Sequence, residues 1–378
     1  MIDVNFFYNQ LQNEGVTFFT GVPDSLLKYF CSYLENNCTE QNSIIAANEG
    51  NAVAIGIGHN LATKKIPLIY LQNSGLGNII NPLLSLVDTN IYSIPMLFLV
   101  GWRGHPEIAD EPQHKKQGKV TENLITSMGY KYAVLDKKSN NDHSKTLLKE
   151  AFKEIRESHK PYFILVKKDT FAKYSFESNS GYKYQLSREK ALHAITKFTS
   201  YSDIIVSTTG MISRELYEIR AQTGEKFGKD FLTIGGMGHC SQIALGIAIS
   251  KPNRNILCID GDGSMIMHMG GLSIIGNQNC SNFKHIVINN GVHDSVGGQP
   301  TSASSIDIPN AALSMGYKWA HSTHDEKKLE FNIKQLLESD GPSLLEIKVS
   351  KGFRKNLGRP LTTPLENKIS FTNFLNEE

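Results

Sequence analysis

The stretch that most constrains the fold lies between residues 255 and 296. It contains two mainly apolar runs, Ile256–Ile259 and His285–Ile288, and each run is followed by polar residues. A Gly-Asp-Gly turn follows the first run, a Met-, Ile- and Leu-rich segment comes next, and an Asn-Asn pair follows the second run. This order predicts a strand, a glycine-rich turn, a helix and a second strand, which together form one βαβ unit of a parallel sheet.

The polar residues after these two strands predict a metal site. Open parallel sheets bind ligands at the carboxyl ends of their strands, so we expect Asp262 and Asn290 to lie at one edge. Carboxylate and amide oxygens suit Mg²⁺, which completes its octahedron with water and phosphate oxygens. Gly261 and Gly263 would let the backbone approach a diphosphate, and the start of the following helix, at Ser264, favours anions. A Gly-Asp-Gly turn alone can be purely conformational, but the Asn-Asn pair makes the pattern more specific.

The composition is typical of a globular protein with two domains. The chain has 378 residues, of which 40% are hydrophobic and 20% charged. Lys+Arg 39 against Asp+Glu 37 leaves a net charge of +2, which indicates neither a nucleic-acid nor a membrane partner. No apolar run approaches the roughly 20 residues of a membrane span, and the N-terminus lacks the pattern of a signal peptide, so we expect a cytoplasmic protein. The five cysteines form no Cys-x-x-Cys pair, which favours reduced core thiols over a metal or redox role.

Residues 1–167 alternate between helical and strand patterns, which predicts a doubly wound parallel sheet. The predicted strands cover residues 16–19, 44–47, 67–71, 94–100 and 162–166. A small-residue helix follows the second of these strands, and Glu49 stands at its start. A lone glutamate at a helix start is often a surface residue that the helix dipole favours, so the residues alone leave both interpretations open.

Several polar loops follow the strands of this first half. They cover residues 21–25, 72–78 and 101–105, and a fourth, basic loop is predicted at 110–119. The candidate residues in these loops are Asp24, Ser25, Asn73, Ser74, Arg103, His114 and Lys119. Arg103 is suited to a bidentate contact with a carboxylate or phosphonate. Solvated surface is the alternative for each loop, but their shared position at one end of a sheet favours a site.

A second α/β pattern begins with a predicted helix at 188–198. Its predicted strands cover residues 203–207, 231–234, 256–259, 285–288 and 344–349. We therefore predict one domain at 1–170, a linker at 171–187 and a second domain at 188–378, with a surface arm from residue 352 onwards.

Two turns and one histidine of the second half are candidates for ligand contacts. The turns are 207–211, with Thr209, Gly210 and Met211, and 235–239, with Gly235 and Met237. An ordinary core methionine is the alternative for Met237. His293 stands close after the Asn-Asn pair and is a candidate proton donor, because histidine normally titrates near neutrality. A structural histidine is equally compatible with the sequence.

The Gly-Asp-Gly turn followed by Asn-Asn resembles the motif of thiamine diphosphate (ThDP) enzymes. The segments GVPDSLL, NEGNAVAIGIG, QNSGLGN, GWRG, DEPQH, GGMGHCSQIALGIA and NNGVHDSVGGQ extend this resemblance over nearly the whole chain, to the phosphonopyruvate and sulfopyruvate decarboxylase family. The resemblance implies an α/β protein with two doubly wound parallel-sheet domains, pyrimidine-binding and then diphosphate-binding, without a middle domain. It also implies ThDP- and Mg²⁺-dependent, non-oxidative decarboxylation of 3-phosphonopyruvate to phosphonoacetaldehyde and CO2 in phosphonate biosynthesis.

The resemblance assigns expected roles to individual residues. Asp262, Asn290 and the carbonyl of Val292 would ligate Mg²⁺ or another divalent cation. Glu49 would be the glutamate that activates the cofactor, with Asp24 and His293 as further catalytic candidates. Further cofactor contacts are expected from Thr209, Gly210, Met211, Gly235, Met237, Gly261, Gly263 and Ser264. Substrate contacts are expected from Ser25, Asn73, Ser74, Arg103, His114 and Lys119.

Alternatives to this function remain open. Sulfopyruvate decarboxylases are often split into two subunits, so a single chain favours phosphonopyruvate as the substrate. Another ThDP carboligase or 2-oxo acid dehydrogenase component would need an acceptor, and a non-catalytic relative would not need to keep Glu49, Asp262 and Asn290. Because this family forms its active sites between chains, we expect a homo-oligomer that binds a small anionic 2-oxo acid, and neither nucleic acid nor membrane.

Overall fold

The computed structural model describes residues 1–176, 180–224 and 227–377. The chain divides into two compact units, Met1–Asn179 and Ser180–Glu378. Each unit is built on one six-stranded sheet with helices connecting the strands. All strand pairs within both sheets are parallel.

The first unit alternates strands and helices along its length. Its strands are β1 (Phe19–Gly21), β2 (Ser43–Ile45), β3 (Leu68–Gln72), β4 (Leu97–Gly101), β5 (Lys131–Leu135) and β6 (Tyr162–Val166). Its helices are α1 (Val4–Asn13), α2 (Lys28–Asn37), α3 (Glu49–Thr63), α4 (Leu76–Pro82), α5 (Pro112–Ser127) and α6 (Asn141–Ser158). A short 3-10 helix (Asn73–Gly75) precedes α4, and a π-helical turn (Leu83–Val87) follows it.

The second unit has the same alternation with more helices. Its strands are β7 (Ile204–Ser207), β8 (Asp230–Leu232), β9 (Ile256–Gly261), β10 (Phe283–Asn289), β11 (Trp319–Thr323) and β12 (Ser343–Lys348). Its helices are α7 (Arg188–Phe198), α8 (Met211–Thr223), α9 (Cys240–Ser250), α10 (Asp262–Met267), α11 (Gly271–Gln278), α12 (Ile308–Ser314), α13 (Glu326–Glu338) and α14 (Pro364–Leu375). Short 3-10 helices cover Phe227–Lys229, Asp294–Val296 and Ser302–Ser305.

The two sheets share one topology. The strand order is β2-β1-β3-β4-β6-β5 in the first unit and β8-β7-β9-β10-β12-β11 in the second. In both units the second strand in the chain lies on one side of the first strand, and the third strand lies on its other side. Open α/β sheets bind ligands beside the carboxyl ends of strands at such a switch point. The loops after β1 and β3, and those after β7 and β9, are therefore the expected ligand loops.

Each sheet is covered by a hydrophobic core on both faces. In β4, Leu97 and Leu99 belong to one buried cluster, whereas Phe98 and Val100 belong to another. Successive strand residues point to opposite faces, so the two clusters lie on opposite sides of the sheet. Strands buried on both faces have continuous apolar sequences, which is why the central strands were predictable. The predicted fold of two doubly wound parallel sheets is confirmed.

The sequence patterns missed one strand in each unit, and these two strands occupy equivalent positions. β5 and β11 each lie at the edge of their sheet, beside β6 and β12. Most of their residues are only partly buried. An edge strand is shielded less than a central one, so its sequence does not need a continuous apolar run.

Two predictions about local structure are wrong. The basic loop expected at 110–119 is helical from Pro112 onwards, because α5 begins there. Proline is well suited to the first helical position, where its fixed φ is favourable and no donor is lost. The expected surface arm contains α14, which is capped by Thr363 and buries Phe371 and Phe374 in the core of the second unit.

The predicted linker at 171–187 is only partly described. Phe171 is buried in the core of the first unit, and Leu186 is buried in the core of the second. Residues 177–179 lie outside the described part of the chain. Within the described ranges, the structure contains no helix that is both long and apolar enough to cross a membrane.

Candidate active site

Asp262 is the buried acid at the switch point of the second sheet. It is the first residue of α10, directly after β9, and 3% of its surface is exposed. The Thr301 hydroxyl donates a hydrogen bond of 2.5 Å to its Oδ2 atom. Burial raises the pKa of Asp262 to about 6, although hydrogen bonds from Thr301 and the Asn290 backbone N–H act in the opposite direction. A bound cation would favour the charged form of this carboxyl group, so the site suits a divalent metal ion.

Asn290 follows β10, the parallel neighbour of β9. Its Nδ2 atom donates to Oδ2 of Asp294 at 2.7 Å, and its Oδ1 atom accepts from the Val292 backbone N–H at 3.1 Å. These two bonds fix the orientation of the amide group. Because a carbonyl oxygen has two lone pairs, Oδ1 can still bind a cation.

Asp294 is held by a buried arginine that the sequence patterns did not identify. Arg188 donates from Nη1 to Asp294 Oδ2 at 3.0 Å. The same guanidinium group donates to Oε2 and Oε1 of Glu215 at 2.9 and 2.8 Å. This two-pronged geometry fixes a guanidinium group firmly. Arg188 thus positions Asp294, which in turn positions Asn290.

The His293 ring lies directly against Gly263. A Cβ atom at Gly263 would lie 2.8 Å from Cε1 of His293, so a larger residue at this position would require the ring to move. Burial lowers the pKa of His293 to about 4, in contrast to the near-neutral titration expected from the sequence. The imidazole is therefore neutral at neutral pH, so one ring nitrogen can donate a hydrogen bond and the other can accept one.

Ser264 connects the other loops of this edge. Its hydroxyl group lies 2.9 Å from Oγ1 of Thr208, in the turn after β7. It also accepts a hydrogen bond of 3.0 Å from the Gly238 backbone N–H. The predicted cofactor contact Ser264 is thus also a link that holds two turns together. The predicted contacts Gly235 and Met237 precede Gly238 in the second of these turns and are partly exposed.

The turn after β7 leads into α8. Thr209 and Gly210 are partly exposed, Gly210 has a φ of +99°, and Met211 is the first helical residue. The positive φ favours glycine at this position. Backbone N–H groups at a helix start are favourable for anions, so the position suits the diphosphate that was predicted for it.

In the first unit, Glu49 is the buried carboxylate. It begins α3, it is 5% exposed, and its Oε2 atom accepts a hydrogen bond of 2.6 Å from Nδ2 of Asn78. A Cβ atom at Gly75 would overlap the Glu49 carboxylate. The glycine therefore makes room for this side chain. The surface alternative that the sequence left open for Glu49 is incompatible with this burial.

Asp24 occupies the switch point of the first sheet and is fully buried. Its Oδ1 atom accepts from the Leu26 backbone N–H at 2.8 Å, and its Oδ2 atom accepts from Nε2 of Gln72 at 2.7 Å. A Cβ atom at Gly101, the last residue of β4, would overlap Oδ1. Burial raises the pKa of Asp24, with these hydrogen bonds and the charge of Arg103 opposing the effect.

Arg103 is already paired with a carboxylate of its own chain. Its Nε and Nη2 atoms donate to the two oxygens of Asp110 at 2.7 and 2.5 Å. Its Nη1 atom donates to Oγ of Ser25 at 2.8 Å. The arginine has the two-pronged geometry predicted for it, but an acidic substrate would have to share it with Asp110 or displace Asp110. Burial and the nearby charge of Arg103 lower the pKa of His114 to about 4.

The other predicted substrate residues differ in their surroundings. Asn73 is fully buried and braces two elements, because its Nδ2 atom donates to the Arg103 carbonyl at 2.8 Å and to Thr121 Oγ1 at 2.9 Å. Ser74 is exposed and donates to Oε1 of Gln72 at 2.7 Å. Lys119 is exposed on α5. Asn73 is thus buried and held by hydrogen bonds within the first unit, whereas Ser74 and Lys119 are exposed.

Each of the two units matches a family of known proteins. The family described as "Thiamine pyrophosphate enzyme, N-terminal TPP binding domain" matches residues 4–125, and "Thiamine pyrophosphate enzyme, C-terminal TPP binding domain" matches residues 208–347. A phosphonopyruvate decarboxylase of Streptomyces viridochromogenes is 31% identical, over 97% of this chain and 93% of that protein.

Two further relatives are informative. A phosphonopyruvate decarboxylase of Streptomyces hygroscopicus is 31% identical over 97% of this chain and 92% of that protein. A sulfopyruvate decarboxylase of Methanosarcina acetivorans is 26% identical over 78% of this chain and 77% of that protein. The chain therefore belongs to the thiamine pyrophosphate (thiamine diphosphate) enzymes, in the family that includes the phosphonopyruvate decarboxylases.

Proposed function

We propose that this protein decarboxylates 3-phosphonopyruvate to phosphonoacetaldehyde and CO2, with ThDP and Mg²⁺, as a step of phosphonate biosynthesis. The observation that carries this proposal is the similarity to phosphonopyruvate decarboxylases over nearly the whole length of both chains. Glu49, Asp262 and Asn290, which such chemistry requires, are all present, buried and held by hydrogen bonds. We propose that residues 1–170 form the pyrimidine-binding domain and residues 188–378 the diphosphate-binding domain.

Oxygen donors of the second unit would hold Mg²⁺. We assign the Asp262 carboxylate, the Asn290 amide oxygen and the Val292 carbonyl as its ligands, with diphosphate oxygens completing the coordination. The raised pKa of Asp262 supports this assignment, since a cation beside this buried carboxylate would offset the cost of charging it. Thr209, Gly210, Met211, Gly235, Met237, Gly261, Gly263 and Ser264 would hold the cofactor.

When bound, ThDP supplies the electron sink that stabilises the carbanion left by loss of CO2. Glu49 would hydrogen-bond a ring nitrogen of the pyrimidine, and Asn78 fixes the orientation of its carboxylate for that contact. Asp24, with its raised pKa, is the candidate for holding and delivering a proton near the substrate. His293, which is neutral at neutral pH, would serve as a hydrogen-bonding group beside the diphosphate end.

The phosphonate group of the substrate would need polar and basic contacts from the first unit. Ser25, Asn73, Ser74, Arg103, His114 and Lys119 are the candidate substrate contacts. Of the basic ones, Arg103 and Lys119 carry the positive charge, because the lowered pKa keeps His114 neutral at neutral pH. Sulfopyruvate is the second candidate substrate, because a sulfopyruvate decarboxylase of M. acetivorans also matches a large part of the chain.

We further propose that the active sites form between chains of a cytoplasmic homo-oligomer, where Glu49 of one chain would serve the cofactor held by Asp262 of another. The protein partners would then be copies of the same chain, and the ligand a small anionic 2-oxo acid. Analytical ultracentrifugation across a range of protein concentrations tests this assembly. An active monomer at all concentrations would refute it.

The substrate is tested by measuring CO2 release from phosphonopyruvate, sulfopyruvate and pyruvate at equal, low concentrations with ThDP and Mg²⁺. We expect the highest kcat/KM for phosphonopyruvate. A preference for sulfopyruvate would leave the residue assignments intact and replace the substrate. Failure to release CO2 from all three, with ThDP bound, would contradict the proposed reaction.

Two variants separate cofactor activation from cofactor binding. Glu49→Gln keeps the shape of the side chain but removes its charge, so we expect turnover to be lost while ThDP binding persists. Asp262→Ala is expected to weaken Mg²⁺-dependent ThDP binding, which isothermal titration calorimetry measures directly. Near-normal turnover in Glu49→Gln, or unchanged ThDP affinity in Asp262→Ala, would contradict the respective assignment.

A further inference from the structure

A second polar cluster lies in the core of the second unit, apart from the residues discussed so far. It consists of Cys240, Cys258, Asp260 and His285, and each of these residues is at most 2% exposed. The surrounding core is hydrophobic and includes Ala244, Phe283 and Val287. Burying polar groups costs free energy unless partners compensate for the lost water. The burial of these four side chains together therefore indicates that they share a partner.

The backbone brings these side chains to neighbouring positions on one face of the second sheet. Cys258 and Asp260 are two positions apart on β9, so they face the same side of the sheet. His285 lies directly opposite Cys258 in the register of β9 and β10. Cys240 is the first residue of α9, which packs on β9 and belongs to the same buried cluster as Cys258.

Three of the four side chains have ligand atoms close enough to share one metal ion, and the fourth, His285, lies next to Asp260. The two sulfur atoms are 3.8 Å apart, and Asp260 Oδ2 lies 3.7 Å from His285 Nε2. The ligand atoms of Cys240, Cys258 and Asp260 all lie within 4.8 Å of one another. Tetrahedral zinc with Zn–S bonds of about 2.3 Å holds two sulfurs about 3.8 Å apart.

Within the described residues, Asp260 Oδ2 and His285 Nε2 lie 3.7 Å apart and neither makes a hydrogen bond, whereas the outer polar atom of each side chain does. The outer oxygen of Asp260, Oδ1, accepts from the Gly261 backbone N–H at 2.9 Å, and the outer nitrogen of His285, Nδ1, lies 3.1 Å from the Tyr317 hydroxyl. Metal ligands typically have this arrangement, with the outer atom held by a second group and the inner atom left for the metal.

We infer that Cys240, Cys258, Asp260 and His285 bind one Zn²⁺ ion in a closed, four-coordinate structural site. Zinc commonly takes thiolate, imidazole and carboxylate ligands in tetrahedral geometry. Mg²⁺ prefers oxygen ligands, so the two sulfurs distinguish this site from the one at Asp262. Binding releases the thiol protons to solvent, and the ion offsets two of the three negative ligand charges. The start of α9 favours the remaining negative charge at Cys240.

The position of the inferred zinc site would let it connect two turns of the second unit. Cys240 immediately follows the turn at 235–239, and Asp260 immediately precedes the turn that contains Asp262. One ion bound to both residues ties these two turns together from within the core. This inference does not depend on the proposed reaction, and it assigns a metal role to two cysteines that the sequence patterns had favoured as plain thiols.

The test is the zinc content of tag-free protein produced in zinc-supplemented medium and desalted with excess Mg²⁺ and ThDP. We expect about one zinc per chain by mass spectrometry of the metals, and a loss of at least tenfold in Cys240→Ala. Cys280→Ala is the matched control, since Cys280 lies outside the cluster and is partly exposed, and it should keep its zinc. Asp262→Ala should also keep it, which separates the two metal sites.

A second measurement uses the wild-type chain and needs no variant to fold. Protein prepared with Co²⁺ in place of zinc, in excess Mg²⁺, should show a thiolate-to-cobalt charge-transfer band, which oxygen ligands alone do not produce. Zinc-free wild-type protein, zinc that persists in Cys240→Ala, or a cobalt complex without this band would overturn the inference. A disulfide between Cys240 and Cys258 in the purified protein would overturn it as well.

Discussion

The Thr301 hydroxyl donates a hydrogen bond of 2.5 Å to Oδ2 of Asp262, and both side chains are buried. The Thr301 backbone N–H also donates to the Gly291 carbonyl at 2.9 Å, which folds this loop back over the end of β10. The hydroxyl therefore fixes the direction of the carboxylate that we assign to the metal. Hydrogen bonds that orient a metal ligand in this way typically contribute about 10–100-fold to metal affinity.

We predict that Thr301→Val weakens Mg²⁺-dependent binding of ThDP by about 10-fold or more. Valine keeps the volume of threonine but leaves the buried Asp262 oxygen without its donor. Isothermal titration calorimetry of ThDP at fixed Mg²⁺ measures the effect. Thr301→Ser keeps the hydroxyl and should retain most of the affinity. Equal losses in both variants would show that packing, and not the hydrogen bond, determines the affinity.

The site residues that the sequence predicts are those that directly follow a recognisable strand or begin a recognisable helix. Asp262 and Asn290 directly follow β9 and β10, whose continuous apolar sequences mark central parallel strands. Their position at one sheet edge then follows from the topology rule for parallel sheets. Glu49 has a local signal too, because it stands at the start of a helix of small residues after β2.

The residues that complete the site carry no such signal. Thr301 lies 39 positions after Asp262, and Arg188 lies 106 positions before Asp294. Neither belongs to a motif, and only the three-dimensional fold brings these pairs together. The same reason applies to Cys240, Cys258, Asp260 and His285, for which we infer a zinc site. The two cysteines follow no metal-binding motif, and only the pairing of β9 with β10 and the packing of α9 bring the four residues together.

Gly75 provides a test of the space around Glu49. A Cβ atom at Gly75 would overlap the Glu49 carboxylate, whereas a Cβ atom at Gly77, in α4, would meet nothing within 4 Å. We predict that Gly75→Ala displaces Glu49 and reduces kcat by about 100-fold, the loss that a misplacement of about 1 Å can cause. ThDP affinity, measured by calorimetry, should change much less than kcat.

Gly77→Ala is the matched control for this prediction. The residue is helical and exposed, so alanine should leave activity intact and slightly stabilise the helix, by up to about 1 kcal/mol. If Gly75→Ala kept the kcat of the Gly77→Ala variant, the position of Glu49 would not depend on this glycine.

His114 should be uncharged at neutral pH. Burial, with the nearby charge of Arg103, lowers its pKa to about 4. The folded protein thus binds the proton less readily than the unfolded chain, so stability is lost as the pH falls from 6.5 through 4. We predict an NMR titration midpoint below pH 5 for the His114 ring, assigned by its loss in His114→Gln. A midpoint at pH 6 or higher would contradict this prediction.

Asp24 should make the folded protein less stable at neutral pH than a neutral side chain would. Burial raises its pKa above the ordinary value of 3.8. The folded state therefore holds the proton over a pH range in which the unfolded chain has already released it. Stability falls as the pH rises through that range and remains lower above it. Such a cost is expected where a site needs a buried acid.

We predict that Asp24→Asn raises the midpoint of thermal unfolding by a few degrees at pH 7, where about 2–4 °C corresponds to 1 kcal/mol for domains of this size. The gain should shrink as the pH falls, because the wild-type carboxyl group then takes up a proton and loses its charge. Gln72 can rotate its amide group to accept a hydrogen bond from the amide that this substitution introduces, since its present partners are Asp24 and Ser74. Decarboxylase activity should fall in the same variant. A gain that does not depend on pH would show that burial of the charge is not its cause.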